Sequence, residues 1–356
     1  MTVEYANNEQ EWESFLTVQE WSPFLQSYAM GEVYQEVGEE PVRLVVLDEG
    51  KIVGVCQAII VPARRGKHLA IMYGPIVGKF EENPNHQSPI TKQIPNPKSQ
   101  ISQLLIDELK KVAFEKGCAF IRISPFIPVG ARHATPLKKM GFRKSPLHML
   151  AEHIWYLDLK GKTEDDVMVG MRKTTRNLVR RAEKEGVTVK ASENPVEDLK
   201  IFFELYEETR KRHHFVPYPN NFIQSQVETF APKNQCALYI ARYKGEPVAA
   251  SVHMIYGGET SYHHGASTNK YPKCFASYAL QWKAIQDAIA RNDHIYSFWG
   301  ISPEGVKKHP FAGVRTFKTG FGGQAIELQH CMDLQLSKKY WITFGIETIR
   351  KIKRGF

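Results

Sequence analysis

The feature that most limits what this chain can fold into is a repeated pattern. Residues 42–61 read Val-Arg-Leu-Val-Val-Leu-Asp-Glu-Gly-Lys-Ile-Val-Gly-Val-Cys-Gln-Ala-Ile-Ile-Val, and residues 237–256 read Ala-Leu-Tyr-Ile-Ala-Arg-Tyr-Lys-Gly-Glu-Pro-Val-Ala-Ala-Ser-Val-His-Met-Ile-Tyr. Each is an apolar strand, a turn centred on Gly50 or Gly245, and a second β-rich strand. The downstream segments match as well. A further strand is expected at 68–77 and at 260–266, a helix at 99–117 and at 274–291, and an apolar strand at 119–124 and at 294–299. Two hairpins can resemble each other by chance. Matching element order at an offset of about 195 residues (237 minus 42) argues instead for a duplicated unit.

A duplication agrees with the length, since 356 residues at roughly 100–200 per domain make two domains. Hydrophobic residues at 42% are enough to fill two cores. No apolar run approaches the roughly 20 residues of a membrane span. The N-terminus, Met-Thr-Val-Glu-Tyr-Ala-Asn-Asn-Glu, has neither the basic nor the apolar region of a signal peptide, so a cytoplasmic protein is expected. Cys56, Cys118, Cys236, Cys274 and Cys331 are scattered, with no CxxC or Cys/His spacing, and suggest neither a disulfide framework nor a metal site. The formal net charge of +9 favours an anionic partner: nucleic acid, phosphate groups or an anionic membrane face.

Helices are expected at 8–15 and 23–35, ahead of the first strand. Helices, then strand–turn–strand–strand–helix–strand, is the element order of the GNAT acyltransferase fold, in which a sheet splays between two central strands and admits an acyl donor. The expected class is therefore α/β (α+β): two tandem GNAT-like units with mixed sheets. The step from element order to acyl transfer is analogy. Residues 82–100 are polar and punctuated by prolines, either a surface excursion or a lid. Residues 163–185 read as one long helix, opened by Thr163 and three acids and ended by Gly186. A terminal helix is expected at 337–353. It can dock on the core through an apolar face, and its basic ends leave contact with a membrane surface open.

Three groups of residues suggest chemistry. In Phe-Lys-Thr-Gly-Phe-Gly-Gly (317–323), Lys318 lies between Phe317 and Phe321, ahead of a glycine cluster. A lysine among aromatics is poorly hydrated and acts at short range, and the glycines let the backbone approach a ligand. The plain alternative is a solvated lysine on a turn. On the helix at 163–185, Arg172, Arg176 and Arg180 share a face, with Lys173 at its edge. That stripe suits a phosphate backbone or is simply solvated. Arg212 closes a helix that ends in three cations. It reads equally as a phosphate clamp or as a cation complementing the helix dipole.

Several pieces then coincide in order: Tyr73-Gly74-Pro75-Ile76; Arg172-Lys173-Thr-Thr-Arg176-Asn177 followed by Arg181-Ala-Glu-Lys-Glu-Gly-Val; Thr209 and Arg212; Tyr262-His-His-Gly-Ala-Ser267; Leu280-Gln-Trp-Lys-Ala-Ile285; Phe298-Trp299-Gly300-Ile301; and Phe317-Lys318 to Gly323. With these the chain resembles, over nearly its whole length, the FemABX family of peptidoglycan-bridge peptidyltransferases. The lack of a heptad pair between 195 and 240 matches the compact members without a coiled-coil arm. The resemblance implies a first unit at 1–157, completed by a C-terminal segment at 328–356, and a second at 158–327. It also implies an aminoacyltransferase. Members take an amino acid from aminoacyl-tRNA and attach it to the side-chain amine of the third stem-peptide residue of a precursor, either UDP-MurNAc-pentapeptide or lipid II. In that scheme Lys318 holds the oxyanion, Phe317 walls the site against water, and Tyr262 bonds substrate. Arg212 holds the diphosphate, with Tyr218, His264, Trp299 and Gly300 lining the substrate. Arg172, Lys173, Arg176 and Arg180 are candidates for tRNA contact. No cofactor or metal is implied, and a monomer is expected.

The departures from the family are specific. Tyr34 and Gln35 stand where compact members can carry a diphosphate-binding lysine, leaving Arg64, Arg65 or Lys67 as substitutes. Ser124 stands where an acid often precedes Pro125, and Ser297 where an Asp is usual. Proton removal then falls to the substrate, to the leaving ribose or to His264. The alternative is a GNAT-fold N-acyltransferase using acyl-CoA. No Gly-rich pyrophosphate loop precedes the helices at 99–117 or 274–291, which speaks against it.

Overall fold

A computed structural model describes residues 1–64, 66–78, 97–131, 137–213, 215–306 and 312–354. Arg65 and most of the proline-punctuated stretch therefore lie outside the described residues. The chain divides into one unit formed by residues 1–152 and 327–356 and another formed by 153–326.

The first unit opens with β1 (Thr2–Tyr5), α1 (Glu9–Thr17) and α2 (Tyr28–Glu36), followed by β2 (Glu40–Asp48) and β3 (Lys51–Val61). The single helix expected at 23–35 is broken. Residues Phe24–Gln26 make one 3-10 turn, and Ser27, in extended backbone, caps α2 by accepting from the Met30 N–H. A serine competes for local amides in this way and resets the helix start. Next come β4 (His68–Met72), β5 (Ile76–Val77), α3 (Pro97–Glu115), β6 (Phe120–Ser124) and β7 (Arg143–Lys144).

The second unit holds β8 (His153–Asp158), α4 (Glu164–Gly170), α5 (Lys173–Lys184), β9 (Thr188–Ala191), α6 (Pro195–His213) and α7 (Asn220–Phe230). It continues through β10 (Cys236–Tyr243), β11 (Glu246–Tyr256), β12 (Glu259–Ser267), α8 (Ala276–Ala290), β13 (Ile295–Gly300), α9 (Ala312–Thr319) and β14 (Gln324–Glu327). The chain ends in β15 (Met332–Gln335) and α10 (Tyr340–Arg354), which belong to the first unit. The first sheet runs β1-β2-β3-β4-β6-β15-β7, with β5 against β3, and the second runs β14-β8-β13-β12-β11-β10-β9.

The two hairpins of the repeat share their details. Glu49 and Gly50 have φ of 48° and 78°, and Lys244 and Gly245 have 53° and 82°. Two positive φ values make the type I′ turn that matches strand twist. Each hairpin also slips register at the same place, between Val46 and Leu47 and between Ala241 and Arg242. Turn and bulge thus recur at the offset seen in the sequence. Each sheet buries one core. Leu44, Cys56, Ile71, Leu105 and Ile121 lie between the first sheet and α3, and Tyr239, Leu280, Ile285 and Phe298 between the second sheet and α8. At about 1.5–3 kcal/mol per large apolar side chain, these layers supply most of the driving force.

Candidate active site

β12 and β13 pair in parallel only from Glu259↔Ile295 to Ser261↔Ser297. Beyond that point β12 stays with β11 as far as Ser267, whereas β13 meets β8 at Gly300. The second sheet therefore opens between 262–267 and 298–300. In the first unit, β4 and β6 stay paired from His68↔Phe120 to Met72↔Ser124, and the Tyr73 N–H donates to the Ser124 carbonyl at 2.9 Å. That pair is closed. Ser124, in the last residue pair of these two strands, is buried.

Lys318 stands at the open pair. It is 7% exposed, and its Nζ donates to the Gly300 carbonyl on β13 at 2.7 Å. The same nitrogen lies 5.6 Å from the centre of the Tyr262 ring on β12. One amine thus touches both splayed strands. Burial lowers its proton affinity from the usual 10.5 to a pKa of about 7. The sequence suggests a fixed positive charge; the surroundings make it one that titrates near neutrality.

The segment carrying Lys318 is helical and is held at both ends. Arg315 Nη1 donates to the Ser302 carbonyl at 2.6 Å, which ties α9 to the chain leaving β13. Arg172 Nη2 donates to the Thr316 carbonyl at 2.5 Å and to Thr319 Oγ1 at 2.7 Å, and the Arg172 N–H donates to the Gly320 carbonyl at 2.9 Å. That last bond explains a departure from the sequence reading. The helix expected over 163–185 is interrupted at Met171 and Arg172, both with extended ψ, because Arg172 turns its amide to the glycine segment. Arg176 then caps α4, donating to the carbonyls of Val169 at 2.6 Å and Met171 at 2.8 Å. Arg172 and Arg176 thus serve carbonyls of their own chain, whereas Lys173 and Arg180 are exposed on α5.

The glycines also serve the chain itself. Gly322 and Gly323 have φ of 84° and 88°. A Cβ on Gly322 would lie 2.7 Å from the Gly170 carbonyl oxygen, and one on Gly323 would lie 2.2 Å from that of Tyr156. The close approach is to α4 and β8. Phe317 packs edge-on to Tyr278 at 5.0 Å and to Phe321 at 5.5 Å, forming an aromatic floor beside Lys318.

β12 carries a bulge where the opening starts. Val252 pairs with His264 and His253 with Tyr262, so His263 is the extra residue. A bulge re-aims side chains. Tyr262 is turned to the α8 side, its ring 5.5 Å from that of His253. Behind it runs a buried chain: Ser251 Oγ and His253 Nδ1 at 3.3 Å, His253 Nε2 and Tyr296 Oη at 3.0 Å, and Tyr296 Oη donating to Gln281 Oε1 at 2.8 Å. Burial raises the Tyr262 phenol to about 12, so it remains protonated. Gly265 makes room for it, since a Cβ there would lie 1.8 Å from the Tyr262 hydroxyl oxygen.

His264 faces α6 and α7. Its Nε2 pairs with Gln226 Oε1 at 3.1 Å, and Gln226 Nε2 lies 3.2 Å from His263 Nε2. Burial pulls His264 well below its usual pKa and His263 to about 3, so both are neutral and weakly basic. This argues against His264 as the base that the sequence suggests. The His263 ring meets Trp299 edge-on at 5.3 Å. Trp299 itself holds a φ of 62°, a conformation that a bulky residue keeps only when its surroundings impose it. Tyr218 stacks on Phe222 at 5.5 Å and meets His264 edge-on at 5.3 Å. Arg212 Nη1 and Nη2 donate to the carbonyl and hydroxyl of Ser267 at 2.8 and 3.1 Å, fixing the guanidinium at the open end of β12. Tyr34 is core, its hydroxyl donating to Met72 Sδ at 2.8 Å.

Lys318, Tyr262, Trp299 and Gly300 are thus brought together, with Phe317 adjoining. Arg212, Tyr218 and His264 cluster where α6 and α7 meet β12, and His263 touches Tyr218, His264 and Trp299. Sequence reasoning did not select His263, Gln226, His253, Gly265 or the role of Arg172. The adjacent His-His-Gly was the available signal, but the bulge that gives it meaning is not visible in residue order.

A duplicated sheet with one splayed strand pair and a buried lysine at the splay defines a transferase of the GNAT fold. The family model described as an acetyltransferase (GNAT) domain matches residues 170–308. The aminoacyltransferase FemA of Staphylococcus aureus is 20% identical, the alignment covering 88% of this chain and 92% of that protein. FemA of Staphylococcus epidermidis is also 20% identical, with 72% and 80% covered. The crystal structure of FemX superposes with a TM-score of 0.81 at 18% identity, covering 98% of this chain and 100% of that one. These likenesses over most of the chain support the FemABX family.

Proposed function

We propose that this protein transfers an amino acid from aminoacyl-tRNA to the side-chain amine of the third stem-peptide residue of a peptidoglycan precursor, UDP-linked or lipid-linked. The observation that carries this reading is Lys318, a buried amine bridging the splayed strands of the second unit. The acceptor amine, in its neutral form, attacks the ester carbonyl. A C–N bond forms, the carbonyl becomes a tetrahedral oxyanion, and the C–O bond to the ribose breaks. The amine's proton ends on the leaving ribose oxygen. Lys318 in its ammonium form donates to the oxyanion. Because its pKa is near 7, it can also pass a proton to that oxygen and recover one from the amine. No side-chain carboxylate is needed in this scheme, consistent with serines at positions 124, on β6, and 297, on β13. Phe317 and Tyr262 exclude water that would hydrolyse the ester. Arg212 takes the precursor diphosphate. Three of its five N–H donors are engaged, by Ser267 twice and by His213, which leaves donors for an anion. Lys173 and Arg180 are the cations proposed to meet tRNA.

The test is to incubate the purified protein with a charged-tRNA pool and either precursor, and to weigh the products. The precursor should gain the mass of an aminoacyl residue, and should gain nothing from acyl-CoA. Mass gain from acyl-CoA alone would make the protein an N-acyltransferase of the more usual kind.

A further inference from the structure

α10 has more than the face it needs for docking. Tyr340 and Thr343 are buried, Phe344 packs against the Phe120–Tyr340 cluster, and Glu347 pairs with Arg122 at 2.7 Å. Together these residues seat the helix on the first sheet. The opposite face carries Trp341, Ile342, Gly345, Ile349 and Ile352, which helical spacing places on one stripe. Trp341 is 45% exposed, Ile342 60%, Ile349 56% and Ile352 76%. Exposed Lys338 and Lys339 border the stripe at one end and Arg350 and Lys353 at the other. Arg143 stacks over Trp341 at 4.8 Å. The one carboxylate of the helix, Glu347, faces inward.

A contiguous apolar stripe of this size on an exposed helix marks an interaction surface. The charge pattern selects the occupant. A second copy of the chain meeting this face would set one group of cations against another, which opposes association. An anionic bilayer accepts both parts at once: the aromatic and aliphatic side chains enter the interfacial zone, and the flanking cations meet headgroup phosphates. We propose that α10 seats the protein on anionic membrane surfaces as a peripheral contact. No helix among the described residues is long and apolar enough to cross a membrane, so the contact is made in the plane of the interface. The inference stands on α10 and not on the transferase reading. If both hold, a lipid-linked precursor is presented at the surface where the enzyme sits.

Flotation of the full chain with vesicles tests it. The protein should float with equimolar phosphatidylcholine and phosphatidylglycerol at low salt and remain below with phosphatidylcholine alone. The double substitution Ile349→Asp and Ile352→Asp, at exposed positions, should weaken binding at least tenfold while leaving circular dichroism unchanged. Lys338→Gln and Lys353→Gln should each weaken it about fivefold. Transfer to the UDP-linked precursor by the double variant should equal that of the parent, which separates this proposal from the catalytic one. Equal flotation of parent and double variant, or no flotation of the parent, would overturn the proposal. So would a sedimentation shift showing that the apolar stripe holds a dimer.

Discussion

Replacing Lys318 with Met should make the protein more stable and much less active. The folded chain releases the Lys318 proton near pH 7, whereas an unfolded lysine holds it to 10.5. At about 1.4 kcal/mol per unit, the gap of about 3.5 units is a cost of about 5 kcal/mol for folding around the charged amine below pH 7. Methionine removes that cost, less about 1–3 kcal/mol for leaving the Gly300 carbonyl without its donor. A net gain of a few kcal/mol is expected at pH 7. The sign with pH follows from proton binding. Between pH 7 and 10.5 the unfolded state binds more protons, so parent stability from this residue rises with pH and the advantage of the variant shrinks. From pH 7 to 9 it should shrink by about 2 kcal/mol. Buried thiols such as Cys236, raised to about 12, destabilise the fold as pH rises, but they do so in both proteins and cancel in the difference. Urea denaturation of both proteins at the two pH values measures it. Transfer by the variant should fall roughly 100-fold or more, the scale of losing a charged oxyanion donor. A variant less stable than the parent at pH 7, or stabilities that move in parallel with pH, would refute the reasoning.

Gly265→Ala should displace Tyr262, since the new methyl would sit 1.8 Å from its hydroxyl oxygen; kcat/KM should drop at least tenfold with circular dichroism retained. Arg172→Ala removes the clamp on Thr316 and Thr319, so kcat should fall while KM for the precursor holds, and urea stability should drop by about 1–3 kcal/mol. Arg122→Met leaves Asp333 and Glu347 facing each other without their buried cation, and should cost about 3–5 kcal/mol by thermal or urea unfolding.

The duplicated fold was legible because a hairpin writes its own signature: Gly50 and Gly245 fix the turns, and alternating apolar residues fix the strands. Its aromatic and glycine neighbours single out Lys318 as a candidate, but its helix and its lowered proton affinity depend on packing that no local pattern reports. The single helix at 163–185 failed for a long-range reason. Arg172 gives its amide to Gly320, nearly 150 residues on, and local propensity cannot anticipate that bond. The guanidinium of Arg172 is held by Thr316 and Thr319 and that of Arg176 by the carbonyls of Val169 and Met171, so two of the four cations suggested for a phosphate backbone also bind within the chain. The separation of Tyr262 from His264 onto opposite sides of the sheet was hidden for a similar reason. A regular strand would put residues two apart on one side, and only the bulge at His263 divides them. The exposed stripe of α10 could be suspected from sequence, but only the structure shows that Tyr340 and Glu347, not the isoleucines, face the core.

The central claim is that Lys318, at the splay of β12 and β13, assists the breaking of an aminoacyl ester. Single-turnover transfer from radiolabelled aminoacyl-tRNA to the UDP-linked precursor, compared between the parent and Lys318→Met, tests it most directly. Label should pass to the precursor with the parent protein, and about a hundredfold more slowly with the variant at equal binding of both substrates. Equal rates, or no label transferred by the parent from any aminoacyl-tRNA to either precursor, would contradict the account.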